Sequence, residues 1–135
     1  MESVLPGDVR VELSAAGLSQ QDSPFPAPLA LDVIPLAGSL GENGWSSEEL
    51  KIRNESRRIL DLPELRVSAT CAWVPVLTTH SVAVHAVFDK EVTVEQACEV
   101  LSAQPSVLLV DHTGLGGLPT PVEVVGGDPT HVGRV

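Results

Sequence analysis

The run RVSATCAWVPVLTTHSVAVHAVFD, Arg66 to Asp89, constrains this chain more than any other stretch. β-Branched residues recur through it, and such side chains favour a half-buried pleated surface over a helix. Leu65, Val67, Ala69, Cys71 and Trp73 share one face by the period of two, and so do His80, Val82, Val84, Ala86 and Phe88. Pro75 lacks a ladder donor and marks an edge, bulge or strand end. The short connector up to Thr79 predicts an antiparallel pair that brings Trp73 near His80.

A length of 135 residues is that of a single domain. Hydrophobic residues make up 43% and aromatic ones only 3%, with no Tyr, so the core must come from Val, Leu, Ala and Ile. Eighteen acidic residues against eight basic ones give a net charge of −10, which argues against nucleic acid or an anionic membrane as partner. The acidity itself reads as solubility. Two Cys do not make a disulfide framework, and Cys71 and Cys98 read as small buried residues. No apolar run reaches membrane-spanning length and no basic, apolar leader opens the chain, so a cytoplasmic setting is expected.

Residues 1–24 read as a short strand (Val9, Val11, Leu13) followed by a connector with Pro24 at its end, and 25–135 as the domain proper. LALDVIPL, Leu29 to Leu36, reads as a buried strand that carries Asp32. A helix is predicted from Ser46 or Ser47 to about Leu60, since Ser46 and Glu49 have capping-box spacing and Pro63 lies just beyond. Thr93 and Gln96 repeat that spacing before a second helix, Val94 to about Ala103. Val107–Val110, Val122–Val125 and Thr130–Val132 read as short strands. The order predicts an α+β fold with a mixed, largely antiparallel sheet and helices packed on one face.

Three stretches, KIRNESRRIL, RVSATCAWVPVLTTHSVAVHAVFD and PTPVEVVGGDPTHVGR, resemble the C-terminal substrate and dimerisation domain of aspartate-semialdehyde dehydrogenases, and FPAPLALDVIP resembles the strand before its helix. The resemblance spans roughly Phe25 to Arg134. It implies that His80 stands at the acid/base position, and that Lys51 and Glu48 stand on the first helix facing substrate. It also places Trp73 where the family carries an Arg that grips the substrate carboxylate. An indole offers an apolar plate and one N–H in place of a charged fork, so recognition of an amino-acid-like substrate is lost. The family's nucleotide-binding domain, with its glycine turn and Cys nucleophile, has no counterpart in the sequence. Gly114, Gly116 and Gly117 read as turn chemistry.

Hydride transfer through an acyl-enzyme needs a nicotinamide and a thiolate, so a dehydrogenase is not expected here. Two functions follow. One is a cofactor-free enzyme of the isomerase, lyase or cyclase type acting on a fairly apolar small molecule, with no cofactor and no metal. In it His80 moves a proton, Lys51 steadies negative charge, Glu48 orients, and Trp73 and Asp32 bind substrate. The other is a catalytically inactive dimeric protein that binds or regulates a protein partner. Each residue also has a plainer reading: His80 as a polar residue left by descent, Lys51 with Glu48 as a solvated helix face, Trp73 as a core or interface anchor. His85, His112 and His131 lack paired metal-ligand spacing. The family's sheet-mediated dimers imply a homodimer here. A deep concavity around Trp73 and His80 would favour the enzyme and a flat surface the binder.

Overall fold

A computed structural model describes residues 24–110 and 118–135, which fall into two compact units dividing between Pro75 and Val76. The expected strand at Val9–Leu13 and the glycines at 114, 116 and 117 lie outside the described residues.

In the first unit the main element is helix α1, Ser47–Ile59. It starts where the capping box requires. Glu49 N–H donates to Ser46 Oγ at 3.2 Å, and Ser46 N–H donates to Glu49 Oε2 at 2.8 Å. Two of the orphan donors of the first turn are thereby satisfied. Glu48 and Glu49 open the helix and Arg57 and Arg58 close it, each sign at the end the helix dipole favours. The helix ends in a Schellman arrangement. Asp61 turns left-handed at φ 53, its N–H donates to Arg58 O at 3.3 Å, and Leu62 N–H donates to Arg57 O at 2.9 Å. Pro63 then prevents continuation.

The loop ahead of α1 is knitted to it. Ser39 N–H donates to Ser47 Oγ at 3.1 Å and Ser47 N–H returns to Ser39 O at 2.8 Å. This crossing is possible because Gly38 has φ 79 and no Cβ, since a methyl there would run into Ser47 Oγ. Gly38→Ala is therefore expected to destabilise the first unit by about 2–3 kcal/mol in urea unfolding. Gly44→Ala is the control. Its φ is 77 but nothing lies near an added Cβ, so it should lose only the backbone share, about 1 kcal/mol. Equal losses at the two sites would show that the steric reading of Gly38 is wrong.

Ile34, Ala37 and the N-cap Ser46 are buried. Residues 65–72 keep the predicted alternation: Leu65, Val67, Ala69 and Cys71 are half-buried, and Arg66, Ser68, Thr70 and Ala72 are exposed. The backbone is not laddered, however. Among the described residues this segment pairs only through one antiparallel bridge, Trp73 with Ile34, with Ile34 N–H to Trp73 O at 3.0 Å and Trp73 N–H to Ile34 O at 2.9 Å; a second bridge joins Leu40 and Ser46 ahead of α1.

The second unit carries helix α2, Val94–Ser102, with the second capping box: Gln96 N–H donates to Thr93 Oγ1 at 3.3 Å and Thr93 N–H to Gln96 Oε1 at 3.0 Å. It feeds strand β1, Val107–Leu109, which pairs in parallel with β2, Thr130–Val132, in the register Val107 to Thr130 and Leu109 to Val132. A parallel pair needs a crossover. Part of it is a one-turn helix α3, Pro121–Val124. Gly133 follows β2 so closely that a Cβ would sit 2.6 Å from Val110 O and 2.8 Å from Pro119 Cδ.

The fold is α+β, and both long helices stand where their capping boxes predict. Three expectations need correction. Val122–Val125, read as a strand, lies mostly in α3, because Pro121 at the first helical position presets φ and Thr120 has the extended backbone of an N-cap. Leu29–Leu36 contributes a bridge rather than a strand. The sheet of the described residues is two-stranded and parallel, not largely antiparallel, because residues 65–76 pair only at the single Ile34–Trp73 bridge and residues 80–89 bear no ladder hydrogen bonds. A period-two sequence specifies which side chains share a face. It does not supply the neighbouring strand that turns extended backbone into sheet.

Candidate functional site

Helix α1 places three long side chains one turn apart on a single stripe, Glu49, Arg53 and Arg57. Glu49 Oε1 accepts from Cys71 N–H at 3.1 Å, while Arg57 Nε donates to Leu65 O at 2.8 Å. Helix and extended segment are thus fastened at both ends. Between them the Arg53 guanidinium lies over the Trp45 ring, 5.6 Å from its centroid. In the sequence Glu49 stands out only as a capping residue. The i, i+4, i+8 spacing of one acid and two arginines was the signal available for the rest.

Glu49 therefore spends both carboxylate oxygens on backbone N–H groups. Its pKa is held below the ordinary 4.5, first by the Ser46 N–H and then by the Cys71 N–H. Because the folded value is the lower one, this contribution to stability is complete above about pH 4.5 and disappears as pH falls through the folded value. Glu49→Gln should lower the urea midpoint at pH 7, and the gap to the native chain should narrow as the pH falls below about 4.5. A gap that stays constant with pH would refute the carboxylate's role. The Cys71 thiol is pushed up, chiefly by burial and then by Glu49 and Glu48, so it stays protonated and is a poor nucleophile.

The expected site residues are distributed as follows. Lys51 Nζ and Glu48 Oε2 meet at 3.2 Å on a half-exposed face of α1. Trp73 meets Phe25 edge-on, with ring centroids 5.2 Å apart and planes at 67°. Asp32 is exposed and accepts the adjacent Val33 N–H at 2.7 Å. These four belong to the first unit. His80 belongs to the second, where it opens a stretch exposed at every residue as far as Gln96. Thr79 just before it has φ 74 and a buried hydroxyl without a hydrogen-bond partner.

A depression of about 260 Å³ in the first unit is wide open and polar, lined by Asn43–Trp45, Glu49 and Ser68–Thr70. None of the five expected residues lines it. Among the described residues no group of three His, Cys, Asp or Glu is placed to hold a metal ion.

Residues 9–135 match the family model described as the semialdehyde dehydrogenase dimerisation domain. The chain belongs to that family. An aspartate-semialdehyde dehydrogenase of Corynebacterium melassecola is 49% identical over 114 residues, covering 83% of this chain and 31% of that protein. One from Streptomyces akiyoshiensis is 42% identical over 113 residues, covering 82% and 32%. This dimerisation domain thus spans about a third of the length of the relatives it matches. The crystal structure of aspartate semialdehyde dehydrogenase II from Vibrio cholerae shares the fold with a TM-score of 0.73 at 23% identity, covering 91% of this chain and 36% of that one. No helix among the described residues is long and apolar enough to cross a membrane.

Proposed function

We propose that this dimerisation domain is a self-association module, and that two copies pair through the extended segment 80–88. The observation that carries the reading is the exposure of that segment's apolar side chains: Val82 is 77%, Val84 80%, Val87 84% and Phe88 63% exposed. A row of β-branched and aromatic residues with unpaired backbone is a template for another strand. It holds no Asp, Glu, Lys or Arg. Covering it removes apolar area from water and satisfies backbone groups in one step.

Association brings together two chains of net charge −10 each. Added salt screens that repulsion, so dimerisation should tighten between 20 and 300 mM NaCl. Light scattering at micromolar concentration tests the proposal. A mass twice the 14.2 kDa of one chain, reached at lower concentration in higher salt, is expected. A monomer at every concentration and salt level would overturn it.

The geometry favours association over a cofactor-free isomerase, lyase or cyclase. Glu48 and Lys51 neutralise each other in solvent, and Trp73 is engaged by Phe25. Trp73 also supports a narrower point. Any larger protein built around this domain would lack a charged fork at that position, and so would not grip an amino-acid carboxylate there. Should a small-molecule reaction be found, unchanged turnover in His80→Ala would eliminate that side chain as its acid or base.

A further inference from the structure

Thr79 carries two costs at once. Its φ of 74 is left-handed, where a β-branched side chain crowds its own backbone. Its hydroxyl oxygen is shielded from solvent and has no hydrogen-bond partner. Four residues upstream Pro75 fixes the backbone, and immediately downstream the exposed, unladdered segment 80–88 begins. Strain of this kind persists only where the surrounding structure holds it, and little holds the downstream side.

From this we infer that Thr79 is a strained joint: it is left-handed while segment 80–88 is unpaired, and it turns to extended backbone when that segment pairs with a second copy. The inference rests on the self-association proposed above and adds its switch. Relief of the left-handed conformation at Thr79 favours the paired state and sets how tightly the copies bind. Extended backbone suits Thr better than almost any residue, so the same side chain that penalises the free form favours the paired one.

Three variants measured by sedimentation equilibrium and thermal unfolding separate the contributions. Thr79→Gly and Thr79→Asn tolerate the left-handed region. Each should raise the melting temperature of the dilute, unpaired chain and weaken dimerisation, Gly by about tenfold and Asn by less. Thr79→Val keeps the β-branch and deletes the unpartnered hydroxyl, so it should dimerise as the native chain does. Native-like dimerisation of both Thr79→Gly and Thr79→Asn would overturn the joint while leaving self-association standing. Weakening by Gly alone would also overturn it, because that pattern reports added chain freedom rather than released strain. A native chain that never dimerises would overturn both.

Discussion

A chain carrying Val82→Lys and Val84→Lys together is expected to remain monomeric at concentrations where the native chain is a dimer. The two valines lie on one face of segment 80–88 and are 77% and 80% exposed, so neither contributes much to the isolated fold. In a pair, each would be covered in both copies. Full burial of a valine side chain contributes about 1.5 kcal/mol or more, and lysines on a strand edge block edge-to-edge pairing. A loss of at least a hundredfold in dimerisation constant, about 3 kcal/mol, should follow. Electrostatics sharpens the test, because each lysine lessens the net charge of −10 and by itself would favour association. Weaker association despite lower repulsion would therefore identify the apolar face as the cause. The dilute variant should keep the native melting temperature. If it dimerises as well as the native chain, the face is not the interface.

The second large effect is expected at Trp73. Its ring meets Phe25 at 5.2 Å, its backbone forms the bridge with Ile34, and 40% of its surface is exposed. Truncating a fully buried Trp to Ala costs about 3–5 kcal/mol, and a partly exposed one proportionately less. Trp73→Ala should thus destabilise the first unit by about 2–3 kcal/mol, and Phe25→Ala by less. Aromatic pairs add about 0.5–1.5 kcal/mol beyond burial, so the double variant should lose less than the sum of the singles by that margin. Strict additivity would show that the two rings do not support one another. Trp73→Arg carries the same cost and should also acquire measurable binding of small carboxylates if the position retains access to ligand.

Much of the local structure is legible in the residues because it is locally determined. Ser46 with Glu49 and Thr93 with Gln96 place both helix starts, since a capping box is a contact between residues three apart. Val107 and Thr130 lie in strands as read, and the half-burial of Leu65, Val67, Ala69 and Cys71 follows the period of two. Strand pairing is not legible in the same way. Residues 65–76 and 80–89 have strand composition, yet sheet formation depends on a neighbour far away in the chain or in another molecule. Val122–Val125 misled for another reason: its valines suggest a strand, whereas Pro121 and Glu123 favour a helical turn. At the candidate site, the sequence allows Glu48 and Lys51 to be either substrate-facing groups or a solvated pair, and they lie against each other at 3.2 Å. The grip of Glu49 on Cys71 and of Arg57 on Leu65 joins residues far apart in sequence, which no spacing rule reveals.

Hydrogen exchange of the backbone amides of residues 80–88, followed as a function of chain concentration, tests the account most directly. Dilute chains should exchange these amides at nearly unprotected rates. Concentrated chains should protect alternate amides strongly, in step with the rise in mass, because an edge strand offers every second N–H to its partner. Protection that is absent at every concentration while the mass doubles would place the interface elsewhere and contradict the role assigned to this segment.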